Sequence, residues 1–371
     1  MYGRRSSRRS ARRRIFTYSS NLCILPPMST SRRRFLQTAC AAAPVMLGAT
    51  DKTGTKPPVI GTGKHTYEAI HDWGELPAGI KYGNTHGVVE DSHGHIYVHH
   101  TVHATSEIPD SMVVFDEKGK FVKSWGKEFK GGAHGLHIQK EGSTEYLYLC
   151  DTARGIVMKA TLDGEKVYQL GYPDMSEAYK PGADGKKPKY SPTNLTIGPT
   201  GDLYVGDGYG SSYINQYNNK GEYIRTFGGK GKDAGQLDCP HGIIVDYRGS
   251  KPLLAVADRG NARIQRFSLD GKHLDFVTGT AMPCHFNFFK NGDVVIPDLG
   301  ARVTLMDKDN QVVAQLGDDS ASKWRDTRKM SRDHFTPGKF VAPHGACFDH
   351  KGNIFVVEWV EVGRVTKLRK V

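Results

Sequence analysis

Internal repetition limits what this chain can fold into more than any other feature. Six segments run through one pattern: a small or polar residue, His-Gly or its counterpart, an alternating apolar strand, a tight turn and a second apolar strand. They begin at Thr85-His86-Gly87-Val88, Ala133-His134-Gly135-Leu136, Thr193-Asn194-Leu195-Thr196, Pro240-His241-Gly242-Ile243, Cys284-His285-Phe286-Asn287 and Pro343-His344-Gly345-Ala346. Successive starts lie 48, 60, 47, 44 and 59 residues apart. A four-stranded propeller blade takes about 40–50 residues, and units of that period bury their apolar faces only against one another. The two long intervals predict insertions near 173–190 and 317–340.

The turns supply a mechanism for the pattern. Ser92-His93-Gly94, Thr200-Gly201-Asp202, Asn291-Gly292-Asp293 and Lys351-Gly352-Asn353 put Gly or Asn where a hairpin needs a left-handed residue. Third strands are expected at Ser111–Asp116, Ile214–Asn218, Ile264–Leu269 and Val303–Asp307, and fourth strands at Phe121–Trp125 and Tyr223–Phe227. The last repeat holds only three strands, whereas residues 66–73 form a strand ahead of the first. That strand can cover the open edge of the last blade. The chain is therefore expected to be all-β, a six-bladed β-propeller over 66–371, closed by 66–73 and preceded by a leader (1–50) and a linker (51–65).

The net charge of +12 suggests nucleic-acid binding until its location is considered. Residues 1–50 carry ten arginines and no lysine or acid, so the remainder is close to neutral and lacks a basic stripe to follow phosphates. Ser31-Arg32-Arg33-Arg34-Phe35-Leu36-Gln37 resembles a twin-arginine export signal, and the apolar run after it is too short to span a bilayer. Export to the periplasm or medium is expected, with cleavage around 45–55 and no membrane span in the mature chain. Met28 is an alternative start, which would make residues 1–27 an extension. Cys23 and Cys40 fall in the leader. The other cysteines, Cys150, Cys239, Cys284 and Cys347, show no C-x-x-C spacing and no readable pairing.

In a propeller the first strand of every blade lines the central channel, so equivalent residues meet around one axis. Those positions read His86, His134, Asn194, His241, His285 and His344. Alternate blades give a threefold set, His134, His241 and His344, and three imidazoles with one side open form a catalytic metal site. Imidazole donors favour zinc or another divalent transition metal and make calcium doubtful. His99, His100 and His103 follow the second strand of the first blade, where loops reach the channel mouth.

The stretch from Phe227-Gly228-Gly229-Lys230-Gly231 to Pro240-His241-Gly242, with Asp258-Arg259-Gly260-Asn261-Ala262-Arg263-Ile264 after it, resembles a near-complete NHL repeat. Ser191-Pro192-Thr193-Asn194, Gly206-Asp207-Gly208-Tyr209, Cys239-Pro240-His241 and Ala342-Pro343-His344 resemble the peptidyl-α-hydroxyglycine α-amidating lyase (peptidylamidoglycolate lyase) domain of the peptide-amidating enzyme. That family splits a peptidyl-α-hydroxyglycine into a peptide amide and glyoxylate. The resemblance implies zinc on His134, His241 and His344, a catalytic tyrosine at Tyr209 and an active-site arginine at Arg259. The family's second essential arginine aligns with Thr101, beside His100 and His103, which become candidate substrate contacts. Its calcium-binding aspartate aligns with Gly345. Its disulfide cysteines are replaced by Tyr190 or its neighbours, Gly210, Ala255 and Arg266.

Three functions follow as expectations: a metal-dependent lyase of this kind, another metal-dependent reaction such as ester or lactone hydrolysis, or a non-catalytic propeller binding peptide, glycan or protein. A small molecule or peptide is the expected partner. The sequence carries no signal for oligomeric state.

Overall fold

The computed structural model describes residues 56–371. The leader, its twin-arginine motif, Cys23, Cys40 and residues 51–55 lie outside the described residues. Six antiparallel sheets, one per repeat, form a six-bladed β-propeller. Blade 1 holds Thr85–Glu90, Ile96–His100, Met112–Phe115 and Phe121–Trp125; blade 2 holds Ala133–Glu141, Thr144–Asp151, Ile156–Thr161 and Lys166–Leu170. Blade 3 holds Asn194–Ile197, Leu203–Gly206, Tyr213–Tyr217 and Tyr223–Gly228; blade 4 holds Pro240–Asp246, Leu253–Asp258, Arg263–Phe267 and His273–Val277. Blade 5 holds Asn287–Phe288, Val294–Asp298, Arg302–Met306 and Val312–Leu316. Among the described residues no helix is long and apolar enough to cross a membrane.

Blade 6 closes the ring. Pro343–Phe348, Ile354–Glu358 and Arg364–Lys370 are extended by His65–His71, which pairs Tyr67 with Lys370 and His71 with Thr366. Val59–Thr62 then adds a fifth strand, so part of the expected linker is sheet. Trp73, just past the closing strand, packs edge-on against Phe355 of blade 6 (4.7 Å) and Phe115 of blade 1 (5.5 Å). Each pair of neighbouring blades shares an apolar core, such as Val89, Tyr97 and Val114 with Leu136, Leu147 and Leu149.

A buried acid ends the second strand of blades 4, 5 and 6 and grips backbone N–H groups ahead of the same blade's first strand. Asp258 accepts from Asp238 N (2.7 Å) and Asp298 from Ala281 N (2.8 Å) and Met282 N (2.6 Å). Glu358 accepts from Val341 N (2.7 Å) and Ala342 N (3.2 Å). Each of these acids also pairs with an arginine from the third strand: Arg263, Arg302 and Arg364 respectively. In blade 1 the corresponding bridge partner of Thr85 is His100.

Neither insertion is a bare loop. Residues 173–190 bury Tyr179, whose hydroxyl donates to Asp207 (2.7 Å). Residues 317–340 bury Trp324, Phe335 and Phe340. The basic run from Lys323 to Arg332 works structurally: Arg328 donates to Trp359 O (3.0 Å) and Asn84 Oδ1 (3.1 Å), and Arg332 to Gly363 O (2.6 Å).

Removing one member of a buried ion pair leaves the other uncompensated, at about 3–5 kcal/mol. Glu358→Ala, which strands Arg364 and two N–H groups, is expected to lose that much stability in urea titration. Glu68→Ala, which breaks the surface ion pair between Glu68 and Arg369, is expected to lose under about 1 kcal/mol.

Candidate metal centre

The glycine after each central histidine explains how the site is built. A Cβ at Gly135 would lie 2.5 Å from Thr193 O, one at Gly242 2.6 Å from Cys284 O, and one at Gly345 2.5 Å from His86 O. Only glycine lets the first strand of one blade come this close to the next. The close approach puts those carbonyls beside the imidazoles. His134 Nδ1–H donates to Thr193 O (2.7 Å), His241 Nδ1–H to Cys284 O (2.8 Å) and His344 Nδ1–H to His86 O (3.1 Å). With Nδ1 protonated, each Nε2 keeps its lone pair for a metal, the arrangement that outer partners impose on ligating histidines. An aspartate at Gly345, as in the resembling family, would collide with His86 O.

The three rings form a nearly equilateral triangle with centroid separations of 4.9, 4.8 and 4.6 Å. His86 joins them, 4.6 Å from His134 and 4.4 Å from His344, with its Nδ1 3.3 Å from His344 Nε2. Two sets of donor atoms lie within 4.8 Å of one another: His86, His134 and His344, and His241, Cys284 and His344. All four histidines are buried, and burial is the main cause lowering their pKa, with His134 brought to about 3. Neither set holds the whole expected triad: His134 falls in one, His241 in the other and His344 in both, and all three are neutral imidazoles of the kind a divalent transition metal takes.

Tyr209 and Arg259 complete the cluster. Tyr209 lies on a loop pinned by Asp207, which accepts from Ser191 N (2.6 Å) and Ser211 N (2.7 Å) and is itself held by Tyr179 of the first insertion. The Tyr209 hydroxyl lies 2.9 Å from His241 Nε2 and 3.3 Å from His134 Nε2. Burial raises its pKa to about 12, against the lowering effect of Arg259. The Arg259 guanidinium sits 5.3 Å over the Tyr209 ring, and its Nη1 is 3.6 Å from Cys284 Sγ. Unlike Arg154, Arg263, Arg302 and Arg364, Arg259 meets no carboxylate among the described residues.

Strand register corrects the fifth ring position. Pro240 bridges Asp258 and Pro343 bridges Glu358, each followed by the channel histidine. In blade 5 it is Pro283 that bridges Asp298, so Cys284, not His285, is the equivalent residue. His285 takes the glycine slot, and its Nδ1 approaches Ala346 O at 3.3 Å. Proline before the ring residue was the available signal. Asn194 holds the third position, its Oδ1 accepting from Leu195 N (2.8 Å).

The expected contacts in blade 1 are used within the fold. His99 and His100 belong to the second strand rather than to a loop after it, and both are fully buried. His100 Nδ1 accepts from Val102 N (3.0 Å), Thr101 Oγ1 from Asn84 N (3.0 Å), and His103 Nδ1 pairs with Thr105 Oγ1 (3.0 Å). Neither ring nitrogen of His99 has a partner among the described residues.

No family model matches the chain. Peptidyl-glycine alpha-amidating monooxygenase A of Xenopus laevis is 33% identical over 162 residues, 42% of this chain and 16% of that protein. Peptidyl-alpha-hydroxyglycine alpha-amidating lyase 1 of Drosophila melanogaster is 33% identical over 160 residues, 40% of this chain and 27% of the relative. The matches therefore span well under two thirds of either relative's length. A protein named for NHL repeats is similar at 28% identity. Virginiamycin B lyase from Staphylococcus aureus superposes with a TM-score of 0.51 at 15% identity, over 82% of this chain and 100% of that one, and so shares the fold. The chain thus resembles amidating lyases and NHL-repeat proteins in sequence and is a six-bladed propeller in structure.

Burial holds the folded pKa of His99, His100 and His134 at about 3 and of His137 and His285 at about 4. Unfolded imidazoles titrate near ~6.5. Below that pH the unfolded chain takes up protons that the folded one refuses, so stability falls as pH drops from about 6.5 toward these values. The urea midpoint of metal-free protein is expected to stay level from pH 8 to 7 and to decline steadily from about 6.5 to 4. A level midpoint across that range would contradict the buried neutral histidines.

Proposed function

We propose that this propeller is a zinc-dependent lyase that splits a peptidyl-α-hydroxyglycine, or a close analogue, into an amide and glyoxylate. The observation that carries the reading is Arg259. It is a cation without a carboxylate partner among the described residues, set beside a tyrosine that touches two imidazole Nε2 atoms. The partial sequence likeness to amidating lyases supports it.

His134, His241 and His344 would hold the ion, which would supply Lewis acidity at the substrate hydroxyl. Arg259 grips the glycolate carboxylate through its planar fork. That places the carbinol carbon over the three imidazoles with its hydroxyl toward Tyr209. Tyr209, as phenolate, takes the hydroxyl proton. As the carbon–oxygen bond becomes the glyoxylate carbonyl, the carbon–nitrogen bond breaks, and the amide nitrogen receives the proton back. A phenol at about 12 needs a nearby cation to ionise at neutral pH, which ties base and ion together.

Thr101 motivates a second reading. Its hydroxyl accepts from Asn84 N, so a neutral side chain stands where the resembling family has its second arginine, with Arg328 held on Asn84 Oδ1 beside it. A compact ester or lactone, hydrolysed on the same centre, needs no such grip. The twin-arginine motif supports a parallel proposal, that the protein is exported to the periplasm or medium.

Protein purified without a histidine tag is expected to carry close to one equivalent of zinc and to release glyoxylate from α-hydroxyhippurate. His241→Ala is expected to lose the metal and keep the far-ultraviolet dichroism of the fold. Tyr209→Phe is expected to lower kcat by about 10²–10⁴-fold. Arg259→Ala is expected to raise KM for the carboxylate substrate by roughly 10–100-fold. Metal without glyoxylate would favour ester or lactone hydrolysis, and absence of metal would favour a binding propeller.

A further inference from the structure

We propose that Cys284 is a ligand of the same ion, through its thiolate, so that the centre has a mixed nitrogen and sulfur shell. The inference rests on the metal reading above and adds a donor to it. Three observations carry it. Register puts Cys284 at the fifth blade's channel position, equivalent to His241 and His344 in the blades on either side. Its Sγ lies within 4.8 Å of a ligand atom on each of those histidines and is wholly buried. Arg259 Nη1 approaches the sulfur at 3.6 Å, a cation suited to a thiolate.

Cys284 also fixes His241 through its own carbonyl, which accepts the Nδ1–H at 2.8 Å. One residue thus orients one ligand and offers another. When the ion binds, the sulfur–metal bond forms as the sulfur–hydrogen bond breaks, and the proton leaves to solvent. A soft sulfur donor among imidazoles selects zinc or cobalt over magnesium, calcium or manganese. It also gives Arg259 two tasks: it steadies the thiolate and keeps the outer face of its fork for the substrate carboxylate.

The test uses untagged protein stripped with chelator and reloaded with cobalt(II). Wild type is expected to show the intense near-ultraviolet charge-transfer band of a thiolate–cobalt bond. Cys284→Ser is expected to lose the band while still binding cobalt, and Cys239→Ser, which changes the neighbouring thiol, to keep it. X-ray absorption at the zinc edge of unmutated protein gives a reading independent of any variant's folding. It is expected to show one sulfur at about 2.3 Å beside nitrogens at about 2.0 Å. Full cobalt uptake with no thiolate band, or a shell of nitrogen and oxygen alone, overturns the sulfur ligand and leaves the histidine centre standing. Failure to take up any metal overturns both.

Discussion

The centre of this molecule depends on the missing side chain beside each channel histidine. Where glycine follows the histidine, the neighbouring blade's strand moves in until its carbonyl meets the imidazole Nδ1–H. One contact thus sets both the packing distance between blades and the tautomer of the ligand. Side-chain orientation at the axis is a by-product of how closely the sheets are drawn together. A β-carbon at any of these glycines would push the blades apart and turn the ring at once.

A second layer holds that arrangement from behind. The acids at the ends of the second strands tie down the residues leading into the channel, and their arginines neutralise them within the protein. Arg259 follows one of these acids directly, yet points to the axis instead of pairing with it. The contrast separates the three arginines that neutralise these acids from Arg259, which meets no carboxylate among the described residues. Blade 1 has His100 at the position the acid takes in blades 4, 5 and 6, with the buried His99 next to it in the strand.

The blade count, the closing strand and the three alternate-blade histidines were legible in the sequence, because each leaves a local mark: a repeated His-Gly, a regular spacing, a strand without a partner. The fifth ring position was misread because Cys284-His285 offers a histidine one residue late. A shift of one along a strand sends a side chain to the other face. The fifth strand at Val59–Thr62 was missed because its edge pairing is mostly exposed and leaves no apolar alternation. The grip of the acids on distant N–H groups has no sequence period at all. The role of Tyr179 in steadying the Tyr209 loop required knowing where residues 173–190 return.

The seam between the first and last blades runs directly through the imidazole cluster, for His344 leans on the carbonyl and ring of His86. The strand that seals this seam bonds across nearly the whole chain, His71 to Thr366. Pairings so distant in sequence form late and slowly. His344 stands on one side of that join, and His86 and His134 on the other. An ion bound there bridges both sides of the join, so loading it would act as a rivet, resisting any local opening that starts where the circle began.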